Sequence, residues 1–190
     1  MKELIKKHIL EHSSVLDSIM KLDESIYKVA NLLICCLENR GAIFWCGNGG
    51  SASDSQHLAG ELVGRFVGER RPLKSISLTA DSSVMTCIVN DYGYEHIFSR
   101  QVEALGSKGD ILIGITTSGN SKNVINAFKA AKKKDIVTIG LLGKGGGDAA
   151  RFVDQSIIVP SNSTARIQEM HILIGHILCD LIEEGLSLKI

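Results

Sequence analysis

The sequence lacks the features that mark several common classes of protein. Its 190 residues include only two prolines, and none of its apolar runs approaches the roughly 18 residues that a membrane-spanning helix needs. The N-terminal segment "MKELIKKHILEHSS" has no long apolar core, so we expect no secretory signal there. Basic and acidic residues number 21 each, and a net charge of zero gives no overall attraction for nucleic acid. We therefore expect a partner that is neither a nucleic acid nor a membrane.

Cysteine is also absent from the patterns that would give it a structural role. The count of five is odd and no CxxC motif occurs, which argues against a disulfide framework. This usage is typical of a reducing compartment, and we expect a cytoplasmic protein. The cysteines, most of which we expect to be small buried residues, are Cys35, Cys36, Cys46, Cys87 and Cys179.

The hydrophobic content of 44% is sufficient for one sizeable core, and we predict a single domain over residues 1–190. In residues 2–38 the apolar positions recur at helical spacing, which predicts one or two amphipathic helices. These helices precede the first candidate strand. We expect residues 1–38 to form a helical arm that packs on the core or on a neighbouring subunit.

After residue 40, short apolar runs alternate with helical stretches, which predicts an α/β fold with a doubly wound parallel sheet flanked by helices. The five predicted strands are Ala42–Trp45, Ser75–Leu78, Ile111–Ile115, Val137–Leu141 and Gln155–Val159. The predicted helices between them are 51–64, 82–89, 98–105, 121–133 and 145–151, followed by a long C-terminal helix at about 163–186.

Three of the predicted strands are followed by loops of glycine and small polar residues, and ligands gather at such strand ends in doubly wound sheets. "CGNGGSAS" (46–53) lets backbone N–H groups approach a ligand, but it has neither GxGxxG spacing nor a P-loop GK[ST], and an ordinary turn explains it equally well. "GITTSGNSKNV" (114–124) concentrates hydroxyl groups at a strand-to-helix junction, which favours a phosphate site over a simple N-cap. "GKGGGDAA" (143–150) is typical of a flexible turn.

The segment "IVNDYGYEHIFSRQ" follows the second predicted strand and allows two interpretations. Asn90 and Asp91, with Gly93 close by, favour a turn. The same two side chains hydrogen-bond hydroxyl groups well and would suit a sugar site. The sequence leaves both interpretations open.

His57 and Glu61 lie four residues apart on a predicted helix, so their side chains share one face. Such a pair suits zinc or acid/base chemistry, although a surface hydrogen bond is the commoner explanation. The apolar C-terminal helix carries Gln168 and His176, which lie about 80° apart around the helix axis and so on one side of it. With Arg166 and His171 these are more polar groups than a buried helix needs, which indicates a function.

Four motifs occur in the order found in one known family. They are "CGNGGSASDSQHLAGEL", "IVNDYGYE", "GITTSGNSKNV" and "ARIQEMHILIGH". The similarity covers nearly the whole chain, from the N-terminal helices to the last helix. On these motifs the chain resembles the sugar-isomerase (SIS) fold family, and within it the bacterial sedoheptulose-7-phosphate isomerases. One departure is visible: residues 116–121 read "TTSGNS" where the family commonly has "STSGNS". Thr116 keeps the hydroxyl group.

The resemblance implies a five-stranded parallel sheet and an aldose–ketose isomerase. The reaction would convert D-sedoheptulose 7-phosphate to D-glycero-D-manno-heptose 7-phosphate through an enediol, as the first step of bacterial ADP-heptose or GDP-heptose biosynthesis. The resemblance also implies a homotetramer with one zinc ion per subunit.

The same resemblance assigns roles to individual residues. Glu61 and His176 match the family's catalytic acid/base positions. The zinc ligands it implies are His57, Glu61, Gln168 and His176. The substrate-binding positions it implies are Asn48, Gly49, Gly50, Glu61, Asn90, Asp91, Thr116, Thr117, Ser118, Ser121 and Gln168.

The alternative is a non-catalytic SIS protein that binds a partner such as a replication initiator. A protein of that kind keeps "QH" in the first helix of the domain and "RIQEMH" in the last. In such a protein the acidic residue and the final histidine of the enzymes are replaced, and for that reason it resembles a non-enzyme. This chain has both Glu61 and His176, which favours the enzyme.

Overall fold

A computed structural model describes residues 1–186, and the last four residues of the predicted domain, 187–190, lie outside the described residues. Two helices precede the sheet, α1 (Lys2–Ile19) and α2 (Asp23–Glu38), with a 3-10 turn between them at Met20–Leu22. The strands are β1 (Ile43–Gly47), β2 (Ser75–Ser77), β3 (Ile111–Thr116), β4 (Val137–Leu142) and β5 (Gln155–Ile158). The remaining helices are α3 (Gly50–Val63), α4 (Ser82–Tyr92), α5 (Ser99–Leu105), α6 (Lys122–Lys132) and α7 (Thr164–Gly185).

The five strands form one parallel sheet in the order β2-β1-β3-β4-β5. All five predicted strands are confirmed, and their ends move by no more than two residues. The largest change is in β1, which continues to Gly47 because that residue pairs with Ile115 of β3. The predicted doubly wound α/β fold with a long C-terminal helix is confirmed.

The predicted helix at 145–151 is wrong. The chain there forms two short 3-10 segments, Lys144–Gly146 and Asp148–Phe152. Gly145, Gly146 and Gly147 have φ angles of 75°, 92° and 53°. These angles lie in the left-handed region, which a right-handed α-helix cannot include and which glycine adopts without steric cost.

Two hydrophobic layers cover the two faces of the sheet. Helices α2, α3 and α7 pack with Ile43 and Trp45 of β1 on one face, and α4, α5 and α6 pack with Phe44 and Cys46 on the other. Successive side chains of a strand point to opposite faces, so a strand buried on both sides is a continuous apolar run. The sheet therefore places α3 and α7 side by side on one face.

The N-terminal helices differ in how fully they pack. Helix α2 buries Ile26, Val29 and Leu33 in the core that it shares with α7. Helix α1 has large apolar side chains that are more than half exposed: Leu4, Ile5, Ile9 and Leu10. Within residues 1–186 no helix is both long enough and apolar enough to cross a membrane. That a neighbouring subunit covers α1 stays a prediction.

The sheet order defines where a ligand site is expected. From β1 the chain passes to β2 on one side, and β3 lies on the other side of β1. Ligands bind in the crevice that opens at the carboxyl ends of the strands at such a reversal. Because Gly47 pairs with Ile115, the loops that leave β1 and β3 emerge next to each other.

Candidate active site

The loop after β1 depends on two glycines for different reasons. Gly49 has a φ of 58° and faces open space, so it is needed for its backbone conformation. Gly50 begins α3, and a Cβ atom at this position would lie 1.6 Å from Nε2 of Gln168. The side chain of Gln168 therefore lies directly against the backbone at the N-terminus of α3.

Three side chains from α3 and α7 converge on one point. Nε2 of His57 lies 3.0 Å from Oε1 of Glu61 and 3.4 Å from Nε2 of His176. The ligand atoms of all three residues lie within 4.8 Å of one another. Two imidazole nitrogens and a carboxylate oxygen so placed have the donor chemistry of a zinc site. The predicted association of His57 and Glu61 with His176 across two helices is thus present in the structure.

The ring of His176 is held between two aromatic neighbours. Its centroid lies 5.0 Å from that of His57 in an edge-on arrangement and 5.4 Å from that of Phe66, with which it is stacked. Stacking on Phe66 restricts the tilt of the imidazole plane. Phe66 was not among the predicted site residues.

Asp54 connects Gln168 to the same helix. Burial raises the pKa of the Asp54 carboxyl, while a hydrogen bond with Gln168 and the nearby His57 oppose that rise. Oδ2 of Asp54 has no hydrogen-bond partner within the described residues. The structure thus gives Gln168 a fixed position beside α3 through Asp54 and Gly50. Asp54 lies inside the first quoted motif, but nothing in the sequence distinguishes it from its small polar neighbours.

A buried ion pair fixes the segment that carries Phe66. Glu183 of α7 accepts hydrogen bonds from the backbone N–H groups of Phe66, Val67 and Gly68, and from Nε of Arg70 at 2.7 Å. Burial of Glu183 opposes its ionisation, but these four donors outweigh that effect and lower its pKa to about 2.

Arg70 extends this clamp to the site itself. Its Nη2 donates a hydrogen bond of 2.7 Å to the backbone carbonyl of Glu61, and its Nη1 donates to the carbonyl of Leu62 at 2.9 Å. The buried pair of Arg70 and Glu183 therefore holds both the last turn of α3 and the segment whose Phe66 ring stacks on His176.

The loop after β3 brings its hydroxyl groups together. Oγ1 of Thr116 lies 3.0 Å from Oγ of Ser121 and 3.3 Å from Oγ of Ser118. Ser121 occupies the N-cap position of α6, but its side chain does not cap the helix. The simple N-cap interpretation is therefore not supported. A cluster of hydroxyls at the positive N-terminus of a helix suits a phosphate group. Thr117 follows in the same loop and is partly buried.

The glycine-rich loop after β4 packs against this hydroxyl loop. The N–H of Ala149 donates a 2.8 Å hydrogen bond to the carbonyl of Gly119, and the N–H of Asp148 donates to Oδ1 of Asn120 at 3.0 Å. A Cβ atom on Gly119 would lie 2.2 Å from the carbonyl oxygen of Gly146. The sequence interpretation as a flexible turn misses this supporting role.

Asn90 and Asp91 lie in the last helical turn of α4 and not in a connecting loop. Both are exposed, and Nδ2 of Asn90 donates to Oδ1 of Asp91 at 2.8 Å. Gly93, with a φ of 93°, ends the helix and directs the chain towards β1. There the hydroxyl of Tyr94 lies 2.6 Å from Oδ1 of Asn48. The structure thus joins this segment to the loop after β1 through Tyr94, a residue without a predicted role.

Comparisons with known proteins agree with this geometry. A SIS domain model matches residues 9–143. A phosphoheptose isomerase of a Nitratiruptor species is 54% identical over 186 residues, covering 97% of this chain and all of that protein. One from Helicobacter pylori is 54% identical over 187 residues, covering 98% and 97%. The solved structure of phosphoheptose isomerase GmhA from Neisseria gonorrhoeae superimposes with a TM-score of 0.92 at 45% identity, covering 96% of this chain and 98% of that one.

The chain belongs to the phosphoheptose isomerase family. The predicted resemblance is confirmed, and the partner-binding alternative is not favoured. The fold of this phosphoheptose isomerase places the β1 and β3 loops together at the strand reversal. Helix α3, which begins at the β1 loop, and helix α7 supply the His–Glu–His cluster. The assignments of individual zinc and substrate contacts stay predictions.

Proposed function

We propose that this chain interconverts D-sedoheptulose 7-phosphate and D-glycero-D-manno-heptose 7-phosphate. The observation that carries the proposal is the convergence of His57, Glu61 and His176 on α3 and α7, because α3 begins at the β1 loop that emerges beside the hydroxyl loop after β3. Family membership supports the same activity. The product would enter bacterial heptose biosynthesis.

The loop after β3 anchors the substrate in this proposal. Thr116, Ser118 and Ser121 offer hydroxyl groups, and α6 offers the positive end of its dipole. Thr117 lies in the same turn. A phosphate bound here holds the opposite end of the sugar at a fixed distance from the loop. The reacting carbons are then already oriented towards the catalytic side chains, which lowers the entropic part of the barrier.

Isomerisation moves one proton between C1 and C2 and another between the two oxygens. Glu61 and His176 are the proton carriers in this proposal. Oε1 of Glu61 faces His57. The other oxygen, Oε2, is left to take the proton from one carbon and return it to the other. His176 serves the oxygen atoms, and its ring is held by Phe66.

The donor set fits the zinc ion that the family implies. His57, Glu61 and His176 would hold the ion, with Gln168, eight residues before His176 on α7, as the fourth ligand. When bound, zinc supplies a Lewis acid that polarises the carbonyl group and stabilises negative charge on oxygen. Asp54 and Gly50 orient Gln168.

A homotetramer in the cytoplasm is part of the same proposal. The apolar residues of α1 that are more than half exposed form a surface suited to a second copy of the chain. The odd number of cysteines, all free, fits a reducing compartment. Light scattering at micromolar concentration tests the assembly, and a monomer would contradict it.

The test of function is incubation with sedoheptulose 7-phosphate, with added zinc or with a chelator, followed by NMR of the sugar. Conversion that the chelator abolishes and zinc restores supports both activity and metal. Glu61→Gln should reduce turnover by at least about 100-fold, the usual contribution of a positioned acid or base. Glu24→Gln is the control because Glu24 lies exposed on α2. Binding of the sugar phosphate without conversion by the unaltered protein would instead favour the non-catalytic alternative.

His176→Ala provides a second readout. We expect lost turnover together with a lower zinc content by elemental analysis, because the cluster loses one of its two imidazoles. Unchanged zinc content would contradict the role of His176 as a ligand.

A further inference from the structure

Asn48, the first residue after β1, shares a pair of hydrogen bonds with Asn123 of α6. Nδ2 of Asn48 donates to Oδ1 of Asn123 at 2.9 Å, and Nδ2 of Asn123 donates to Oδ1 of Asn48 at 2.8 Å. Asn123 is only 2% exposed. The amide pair therefore joins the β1 loop to the helix that follows the hydroxyl loop of β3.

A backbone group fixes which way round the two amides point. The N–H of Val124 donates to Oδ1 of Asn123 at 2.9 Å. A backbone N–H can only donate, so the atom it meets must be the amide oxygen. Asn48 must then present Nδ2 to that oxygen and Oδ1 to Nδ2 of Asn123. The hydroxyl of Tyr94, 2.6 Å from Oδ1 of Asn48, consequently donates.

The remaining hydrogen-bonding capacity of Asn48 follows from a count. An amide oxygen has two lone pairs and an amide nitrogen has two hydrogens. Oδ1 of Asn48 accepts from Asn123 and from Tyr94, so both of its lone pairs are used. Nδ2 has given one hydrogen to Asn123. One N–H group of Asn48 is left, and this side chain can act towards a ligand only as a donor.

The position of Asn48 indicates the part of the ligand it faces. It follows Gly47, which pairs with Ile115 at the start of the hydroxyl loop, and it precedes Gly50, which lies against Gln168. Asn48 thus lies between the hydroxyl loop and Gln168. The oxygen atoms of the sugar chain would occupy this stretch.

We propose that Asn123 and Tyr94 are positioning residues that hold Asn48 as a donor to an acceptor oxygen of the bound sugar phosphate, either a carbonyl oxygen or a hydroxyl lone pair. The inference rests on the proposed function for the identity of the ligand. A sugar without that oxygen leaves a desolvated N–H unpaired, and a site built in this way rejects such an analogue strongly.

The test is a double-mutant cycle between Tyr94 and Asn48, which isolates the effect that one residue exerts through the other. Dissociation constants for sedoheptulose 7-phosphate are measured by calorimetry in the Glu61→Gln background, where turnover does not interfere. Tyr94→Phe removes one hydroxyl from a residue that is 53% exposed, so the fold is not at risk. Tyr92→Phe is the matched control, because the ring of Tyr92 keeps its contact with Arg100 in that variant.

We expect Tyr94→Phe to weaken binding of the sugar phosphate by about two- to tenfold, the range for one lost hydrogen bond. Tyr92→Phe should leave it unchanged. In protein that also carries Asn48→Ala, Tyr94→Phe should have no further effect. Asn123→Ala should weaken binding at least as much as Tyr94→Phe, and its effect should likewise vanish beside Asn48→Ala. Binding of inorganic phosphate, which needs only the hydroxyl loop, should be the same in all variants.

Equal losses from Tyr94→Phe with and without Asn48→Ala would overturn the proposal, as would a Tyr94→Phe variant that binds like the control. A parallel loss of inorganic phosphate binding would also overturn it, because the effect would then be a general disturbance of the site. If Asn48→Ala does not fold, Asn48→Ser replaces it in the cycle. Absence of turnover in the unaltered protein would refute the proposed function, while the binding cycle would still decide the role of Tyr94.

Discussion

Replacing Glu183 by glutamine tests whether the buried clamp behind the His–Glu–His cluster depends on charge. The carboxylate accepts from Phe66, Val67, Gly68 and Arg70, and its pKa lies at about 2 against a usual value of 4.5. Lowering the pKa from 4.5 to about 2 corresponds to about 3 kcal/mol of folding free energy. Because the pKa is lowered in the folded state, this stability is present above pH 4.5 and is lost as the pH falls towards 2.

The expected result is a stability difference that depends on pH. At pH 6.5, Glu183→Gln should lower the free energy of unfolding by about 3–5 kcal/mol, since Arg70 is left as a buried charge without its partner. Between pH 6.5 and pH 3 the difference from the unaltered protein should shrink by about 2 kcal/mol, because the Glu183 carboxyl binds a proton in the unfolded chain while the folded protein still keeps it ionised.

Urea unfolding followed by circular dichroism, at one fixed protein concentration, measures both quantities. Glu24→Gln is the control, since Glu24 is exposed and its ion pair with Lys28 should contribute at most about 1 kcal/mol. A difference for Glu183→Gln that stays constant from pH 6.5 to pH 3 would refute the reasoning, because the group would then bind protons equally in the folded and unfolded states.

Three glycine substitutions test the geometry around the loops. Gly50→Ala places a Cβ atom on the amide of Gln168 and should reduce turnover by at least about tenfold, as loss of a supporting contact at a metal site does; a normal kcat would contradict the placement of Gln168. Gly119→Ala forces an L-residue to a φ of 67° beside the carbonyl of Gly146 and should raise KM about tenfold for a cost near 1.4 kcal/mol; an unchanged KM would separate that loop from phosphate binding. Gly60→Ala faces open space within α3, so we expect normal kinetics and up to about 1 kcal/mol of added stability by urea unfolding.

The strands were predictable because a strand of a buried parallel sheet is a continuous apolar run. Ile43–Gly47 shows both the strength and the limit of that rule, since its end depends on pairing with β3 rather than on composition. The helix prediction at 145–151 was wrong because the spacing of apolar residues does not show that three consecutive glycines adopt positive φ angles. The long helix predicted at about 163–186 agrees closely with α7, which begins at Thr164 and ends at Gly185.

Within the site, local spacing was sufficient only for residues on the same element. His57 and Glu61 lie on one helical face, and their spacing predicted a pair that the structure has at 3.0 Å. Tyr94 and Asn123 lie inside quoted motifs but received no role, because their contacts with Asn48 span 46 and 75 positions of the chain. A hydrogen bond over such a distance leaves no periodic pattern in the sequence.

The meeting of His57 with His176 has a simple cause in the packing of α3 on α7. Leu58, next to His57, is fully buried, and its Cδ1 lies 2.6 Å from where a Cβ atom on Gly175 would be. Gly175 precedes His176, so the absence of a side chain lets the two helices approach at the very turn that carries both imidazoles. Two helices that cross at a larger separation would keep the same residues and lose the 3.4 Å approach of the two Nε2 atoms. The approach of the two imidazoles therefore depends on Gly175, which is not a member of the cluster. A small residue beside a polar one on an apolar helix is informative for that reason.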